Sequence, residues 1–199
     1  MKIYLLSNNP RMTSMWKFFF MDNPEITVVC DEFNKFMRQY KVDCVVSPAN
    51  SFGLMDGGYD LAITAWFGEY LQRKVQKYIV DNLCGEQPVG TSIIVDADMN
   101  QKKLIHTPTM RTPAIIKDPL VVYSCMRTCL MTAIENKVES IVIPAFGDGY
   151  GLLAEEVVAQ MMFKAYQQVM NPPSSIDWEY ALEWDPDEIQ KYNGGFTNE

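Results

Sequence analysis

Short apolar runs alternate along the chain with longer segments in which apolar positions recur every three or four residues. The short runs predict strands at residues 3–6, 26–30, 44–46, 93–95, 104–105 and 141–143. Two of them, 44–46 and 141–143, are apolar throughout, which is typical of strands that helices cover on both faces. The alternation therefore predicts an α/β domain with a buried, largely parallel sheet.

Five segments have the spacing of an amphipathic helix. The clearest covers about residues 61–83, and its apolar positions, which include Trp66 and Phe67, predict a buried face. Another begins at Asp118-Pro119, where a favoured N-cap residue precedes a proline that suits the first helical position. The other three are expected at about residues 13–20, 32–40 and 154–169.

The composition is that of a folded domain, with 48% hydrophobic and 21% charged residues. Its 17 Lys and Arg against 25 Asp and Glu give a net charge of −8. Extended nucleic-acid surfaces and anionic membrane surfaces both require clustered cations, so we expect neither partner. A small anionic ligand remains compatible with this charge, because backbone N–H groups and helix N-termini bind anions.

The five cysteines form no CxxC pair and are odd in number, so the sequence predicts neither a disulfide framework nor a zinc site. We expect them to be buried thiols in a reducing compartment. The apolar stretch after Met1-Lys2 is too short for a signal peptide, and no apolar run reaches the roughly 18 residues of a membrane helix. These features predict a cytoplasmic protein.

The periodic part of the chain ends at Pro172-Pro173-Ser174-Ser175. This boundary predicts a domain over residues 1–171 and a C-terminal appendage over 172–199. We expect Trp178 and Trp184 to pack back on the domain, and the chain to fray near Gly194-Gly195.

Two predicted strands run directly into loops that are rich in glycine and small polar residues. The segments read VDCVVSPAN at 42–50 with GGYDLAI at 57–63, and PAFGDGYG at 144–151. Ligands of α/β sheets bind at the C-terminal ends of strands, where glycines let backbone N–H groups approach a phosphate. One such loop alone is more typical of a tight turn, but two in matching positions favour a clamp for a diphosphate. Neither loop contains a Walker A or a GxGxxG motif.

These segments, with KLIHT at 103–107, resemble the signatures of the macro domain, a family that binds ADP-ribose. The family reads roughly VDAIVNAAN, then a glycine-rich loop and VDxAI; then KxVIHT or KxIIHT; then a strand that ends in PA and a loop like STGxYG. Order and spacing agree over about residues 2–170. The resemblance implies a three-layer α/β/α sandwich with a mixed, mainly parallel central sheet.

The resemblance also implies the residues that would hold ADP-ribose between the two loops. Asn50 would hydrogen-bond the distal ribose, and the backbone at Gly57, Gly58 and Tyr59 would wrap that ribose and the diphosphate. Asp31 would accept a hydrogen bond from the adenine amino group, although it is equally suited to cap the helix that follows. The phosphates would be covered from the other side by Gly147, Asp148, Gly149, Tyr150 and Gly151.

Asp60 and Asn50 are the predicted catalytic residues. Hydrolytic macro domains of this loop type keep an acid at the position of Asp60, where a carboxylate can activate water for attack at the anomeric carbon. Asp60 is about equally suited to be the N-cap of a helix that begins at Leu61. The sequence departs from the family at Ser47, where the family has Asn, at Tyr59, where it has a small aliphatic residue, and at Asp148, where it has Ser or Thr.

The predicted function is binding of ADP-ribose or a derivative and hydrolysis of a bond at the distal ribose, without a metal or cofactor. The reaction would remove mono-ADP-ribose from a protein or nucleic-acid acceptor, or deacylate O-acetyl-ADP-ribose. Two alternatives use the same cleft: a reader that binds without turnover, and a phosphatase for ADP-ribose 1''-phosphate. A purely structural protein is the third. We expect His106, the single histidine, to be a hydrogen-bonded core residue and Arg111 to pair with a surface acid.

Overall fold

The computed structural model describes residues 1–98 and 102–190. Six strands form its centre: β1 (Lys2–Ser7), β2 (Ile26–Cys30), β3 (Cys44–Ser47), β4 (Ile93–Asp96), β5 (Lys103–His106) and β6 (Ser140–Pro144). They lie in one sheet in the order β2-β1-β6-β3-β5-β4. All neighbouring pairs are parallel except β4 with β5. The sheet is therefore mixed and mainly parallel, as predicted.

Helices cover both faces of this sheet. In the described ranges they are α1 (Pro10–Phe19), α2 (Phe33–Gln39), α3 (Gly58–Phe67), α4 (Tyr70–Leu83), α5 (Leu120–Glu135), α6 (Glu155–Met170), α7 (Trp178–Glu183) and α8 (Pro186–Gln190). Cys44 and Val46 of β3 pack in a cluster with residues of α5 and α6, whereas Val45 packs with residues of α2 and α4. Successive side chains of a strand point to opposite faces, so an apolar strand needs a helical layer on each side. The three-layer α/β/α sandwich is confirmed.

The start of α5 shows how its N-terminus is capped. Pro119 is the N-cap residue, one position later than predicted. Asp118 still acts on the helix, because its carboxylate accepts a hydrogen bond of 3.0 Å from the backbone N–H of Leu120. Asp118 therefore pairs with an N–H group at the start of α5, as an N-cap side chain would, although it lies one position before the N-cap residue.

The segment predicted as one helix over residues 61–83 contains two helices, α3 and α4. Gly68 has a φ of 101°, and its N–H donates to the carbonyl of Thr64 at 2.7 Å, which ends α3. The apolar spacing continues across this glycine and hides the break. Ile63 and Val75 are buried, but Trp66 is 37% exposed, so its assignment to the core is wrong.

The cysteines differ in exposure. Cys44, Cys125 and Cys129 are buried in the core, as expected, whereas Cys30 and Cys84 are exposed. Cys30 ends the edge strand β2, and Cys84 is the C-cap residue of α4. The prediction of a buried thiol is wrong at these two positions, which lie at the ends of elements.

The chain returns to the domain after α6. Ile189 of α8 is 3% exposed and belongs to the cluster formed with α5 and α6, and Trp184 packs against that cluster. Trp178 is 81% exposed, so the expectation that it packs back is wrong. Gly194-Gly195, where we expected fraying, lies outside the described residues. In residues 1–98 and 102–190, no helix has the length and apolar character needed to cross a membrane.

Candidate functional site

A cleft of about 770 Å³ opens at the C-terminal ends of the parallel strands. Residues that follow β1, β2, β3 and β6 line it, among them Asn8, Asp31, Asn50 and Gly147. Because β3 and β6 are neighbours in the sheet, the glycine-rich loops that follow them lie side by side. This is the edge at which α/β sheets bind ligands.

Nearly all the predicted site residues meet in this cleft. Its lining includes Asp31, Asn50, Gly57, Gly58, Tyr59, Asp60, Gly147, Asp148, Gly149 and Tyr150. Gly151 does not line the cleft but is buried, and its carbonyl accepts a hydrogen bond of 3.0 Å from the N–H of Ile116. A Cβ atom at Gly151 would lie 2.6 Å from the carbonyl oxygen of Gly147. Gly151 therefore shapes the second loop from behind.

Asp60 lies in the first turn of α3, and its side chain is held by the sheet. Gly57 is the N-cap of α3, so the alternative interpretation of Asp60 as the N-cap is wrong. Asp60 is only 8% exposed, and the Ser47 hydroxyl at the end of β3 donates to its Oδ1 at 2.6 Å. Burial raises the pKa of Asp60 to about 7; the Ser47 hydrogen bond opposes this rise and the nearby Asp56 carboxylate adds to it. The carboxyl thus titrates near neutrality, where a general base is effective.

The Asn50 side chain organises the loop that follows β3. Its Oδ1 accepts hydrogen bonds from the N–H groups of Phe52 and Leu54, at 3.1 and 3.3 Å, and its Nδ2 donates to the Leu54 carbonyl at 2.7 Å. One of the two Nδ2 hydrogens is used in this way, which leaves the second for a ligand. The contact of Asn50 with a ribose stays a prediction.

Asp31 also lines the cleft and lies just before the start of α2. The N-cap of α2 is Glu32, so the alternative in which Asp31 is the N-cap is wrong by one residue. Asp31 Oδ1 accepts a hydrogen bond of 2.8 Å from the N–H of Glu32 and lies 3.7 Å from Lys35 Nζ. Its contact with an adenine stays a prediction.

Asp148, the unexpected acid of the second loop, is tied to the start of α1. Its carboxyl is half-buried and accepts a side-chain hydrogen bond from Asn9, while burial and the Glu155 carboxylate raise its pKa. Asn9 is the N-cap of α1 and also donates to Glu155 Oε1 at 3.1 Å. Asp148 therefore belongs to a hydrogen-bonded cluster at the N-termini of α1 and α6, although it also lines the cleft.

The lining of the cleft is acidic. It contains Asp31, Glu32, Asp56, Asp60 and Asp148, and the described lining residues include no lysine or arginine. The positive partial charge of the site comes from the first turn of α3, which faces the cleft and has no side-chain cap. An anionic ligand would therefore be held by backbone N–H groups.

Sequence reasoning missed two contacts in the site. Ser47 stood out only as a departure from a motif, and its bond to Asp60 depends on the packing of α3 on β3. Phe33 also lines the cleft, and its ring packs edge-on against Tyr59 with centroids 5.2 Å apart. The sequence predicted a helix over about residues 32–40 but gave no signal for a role of Phe33 in the cleft.

His106 is a hydrogen-bonded core residue and Arg111 pairs with a surface acid, as we expected. His106 is buried, its Nδ1 lies 2.7 Å from Gln87 Oε1, and burial lowers its pKa to about 3. Arg111 binds the Glu86 carboxylate through Nε at 2.7 Å and Nη2 at 2.9 Å. Neither residue lines the cleft.

A mixed α/β/α sandwich with a glycine-walled cleft at its strand ends defines a class of ligand-binding domain. The sequence model of the Macro domain family matches residues 46–162, which is more than half of the chain. An uncharacterised protein of Aquifex aeolicus is 34% identical over 128 residues, which cover 63% of this chain and 73% of that protein. The chain belongs to the Macro domain family.

Solved macrodomains share this fold. A variant of the Oceanobacillus iheyensis macrodomain, solved with ADPR, superposes with a TM-score of 0.58 at 23% identity, over 65% of this chain and 71% of that one. The macrodomain of Mycobacterium tuberculosis DarG gives 0.57 at 22% identity, over 66% and 85%. At these identities the likeness concerns the fold.

Proposed function

We propose that this protein binds ADP-ribose, or a molecule that carries it, in the cleft and hydrolyses a bond at the distal ribose. The observation that carries the proposal is Asp60, a buried carboxyl that titrates near neutrality in a cleft walled by glycines. Membership of the Macro domain family supports the choice of ligand, and a relative of the same fold was solved with ADPR.

Gly57 supports a ligand that approaches the backbone closely. Its φ of −143° is ordinary extended backbone, and a Cβ atom there would meet nothing within 4 Å. Neither the conformation nor the packing of the protein therefore requires glycine at this position. The space in front of Gly57 belongs to the cleft, beside the uncapped N-terminus of α3, and suits a phosphate.

The proposed reaction uses one water molecule. Its oxygen attacks the anomeric carbon of the distal ribose, and the bond from that carbon to the acceptor breaks. The Asp60 carboxylate accepts a proton from the water, while the acceptor keeps the bonding electrons and takes up a proton. The products are ADP-ribose and the free acceptor. The remaining Nδ2 hydrogen of Asn50 would fix a ribose hydroxyl.

The two alternative activities differ in their support. A reader would use the same contacts without turnover, and the experiment below separates it from a hydrolase. A phosphatase for ADP-ribose 1''-phosphate has less support, because a further phosphate would lie near Asp56 and Asp60 in a cleft whose described lining has no lysine or arginine.

The variant Asp60→Asn is expected to abolish release of ADP-ribose from a mono-ADP-ribosylated protein. The carboxamide keeps the size of the side chain and can still accept the Ser47 hydrogen bond, but it does not act as a base. Binding of ADP-ribose should change by less than about threefold, which is below ~1 kcal/mol. Calorimetry measures the binding, and release of ADP-ribose measures the turnover.

The wild-type protein is the control in both assays. Its ligand preference is measured separately, by comparing the shifts in its melting temperature with ADP-ribose, ADP, NAD and ADP-ribose 1''-phosphate. Preferential stabilisation by ADP-ribose supports the proposed ligand, and the absence of any shift contradicts it. Turnover by Asp60→Asn at the wild-type rate contradicts the role of Asp60. A wild-type protein that binds but never turns over is a reader.

A further inference from the structure

The hydrogen bond between Ser47 and Asp60 joins two rigid elements beneath the cleft. Ser47 is fully buried at the end of β3, and its backbone carbonyl accepts a hydrogen bond of 3.0 Å from the N–H of Thr107. Its Oγ lies 2.6 Å from Asp60 Oδ1. Among the residues that the structure describes, Asp60 Oδ2 has no hydrogen-bond partner, although Asp60 lines the cleft. Oδ1 of Asp60 is thus hydrogen-bonded, and Oδ2 has no hydrogen-bond partner among the described residues.

We propose that Ser47 is the positioning residue of Asp60: its hydroxyl fixes Oδ1 so that Oδ2 is presented to the reacting water. The contribution to turnover rests on the hydrolysis proposed above, whereas the effect on the Asp60 carboxyl can be tested without it. The sheet anchors the donor and α3 carries the acceptor, so the orientation of the carboxylate is set by the packing of α3 on β3.

The other groups around Asp60 do not replace this hydrogen bond. Asp56, in the same loop, has a like charge and disfavours the ionised form. The neighbouring Tyr59 hydroxyl is buried, and burial raises its pKa, so it stays neutral. His106, the register partner of Ser47 on β5, is also neutral near pH 7, because burial lowers its pKa. The described lining of the cleft adds no cation.

Ser47 therefore has an electrostatic effect as well as a geometric one. A donor to Oδ1 stabilises the carboxylate form, and the Ser47 hydrogen bond lowers the pKa of Asp60 against the combined effect of burial and Asp56. Without the hydroxyl, a larger share of the protein would carry protonated Asp60 at neutral pH. A protonated carboxyl does not accept the proton of the water.

The first experiment measures the titration of Asp60 in the ligand-free protein by carbon-13 NMR of its carboxyl group. Ser47→Ala is expected to raise the apparent pKa of Asp60 by about one to two pH units, the usual effect of a hydrogen bond to a charged group. Ser47→Thr, which keeps the hydroxyl, is expected to restore the wild-type titration.

Ser51 provides a matched control. Its hydroxyl is also buried and follows β3, but it has no hydrogen-bond partner among the described residues and does not line the cleft. Ser51→Ala should therefore leave the Asp60 titration unchanged. An equal shift in Ser47→Ala and Ser51→Ala, or no shift in Ser47→Ala, would overturn the inference.

The second experiment follows the pH profile of kcat/KM for release of ADP-ribose. In Ser47→Ala, the rise of activity with pH is expected to move upward by the same one to two units, with kcat reduced about tenfold at pH 7 and KM unchanged. A profile that keeps its wild-type position overturns the role in turnover. If the wild-type protein does not hydrolyse at all, the proposed function fails, and the NMR titration still decides whether Ser47 controls Asp60.

Discussion

Asp60 shows how far a single residue can be predicted from the sequence. The resemblance of the loop to a family motif predicts a functional acid at this position, because the motif concerns neighbours in the chain. The raised pKa of the carboxyl could not be predicted, because it arises from burial beneath the cleft and is opposed by the hydrogen bond from Ser47 on another element. Asn50 behaves in the same way: its position follows from the motif, but its three hydrogen bonds to the loop follow from the fold.

The buried Asp60 also predicts a pH-dependent effect on stability. Its pKa is about 7 in the folded protein and near its ordinary 3.8 in the unfolded chain, so the folded state holds the proton more tightly. Deprotonation of Asp60 therefore destabilises the fold as the pH rises from about 4 to above 7, by roughly 4 kcal/mol at most. Asp60→Asn lacks this effect.

We expect the free energy of unfolding of Asp60→Asn, measured relative to wild type, to be larger at pH 8 than at pH 5, so that the variant is relatively more stable at the higher pH. Urea denaturation at the two pH values measures it. Asp148 and Glu155 are unchanged in both proteins, so their titration cancels in the comparison. A difference between variant and wild type that is the same at both pH values would contradict the raised pKa of Asp60.

At the scale of elements, the strands were predicted to within about a residue and the helix around Asp60 was not. Strands such as β3 and β6 are apolar on both faces, and that signal is local. The helix α3 begins at Gly58, earlier than predicted, because its N-cap Gly57 has no capping side chain to mark the start. Its end at Gly68 is hidden because the apolar spacing continues into α4. Both errors involve glycines: Gly57 has no capping side chain, and Gly68 has a left-handed φ.

The second loop contains two glycines that differ sharply in what surrounds them. A Cβ atom at Gly151 would lie 2.6 Å from the Gly147 carbonyl oxygen and 2.7 Å from Ile116 Cδ1, whereas one at Gly149 would meet nothing within 4 Å. Gly151→Ala is therefore expected to displace the loop, lower the melting temperature and weaken ADP-ribose binding at least tenfold, about 1.4 kcal/mol.

The matched variant Gly149→Ala should leave the melting temperature of the ligand-free protein within about 2 °C of wild type, since a surface change usually alters stability by less than ~0.5 kcal/mol. Thermal unfolding and calorimetric titration of the two variants make the comparison. Equal losses of stability in both would show that Gly151 is not the residue that shapes the loop.

At the scale of the whole molecule, the negative net charge of the chain is compatible with a site for an anionic ligand. The chain carries a formal charge of −8 and the cleft is lined by acids, yet the uncapped start of α3 supplies N–H donors to the cleft. The C-terminal segment was harder to predict, because it has no clear apolar period. Only the fold shows that α8 reaches α5 and α6 while Trp178 stays in solvent.

Ile189 tests whether this segment belongs to the stable body of the domain. Ile189→Ala removes a buried side chain from the cluster with α5 and α6 and is expected to lower the free energy of unfolding by about 2–5 kcal/mol. Trp178→Ala, a larger truncation in the exposed part of the same segment, should change it by less than ~0.5 kcal/mol. Urea denaturation measures both. Equal and small effects would mean that α8 does not contribute to stability.

The adjacency of β3 and β6 has a consequence for how the protein acquires its site. Their loops form the two walls of the cleft, but the strands lie far apart in sequence, with α3, α4, β4, β5 and α5 between them. Long-range strand pairing is slow, because the entropy of closing the intervening chain is lost before the pair forms. During synthesis the cleft cannot exist until β6 has left the ribosome. A ligand that needs both walls therefore slows unfolding of the finished protein and does not accelerate its folding.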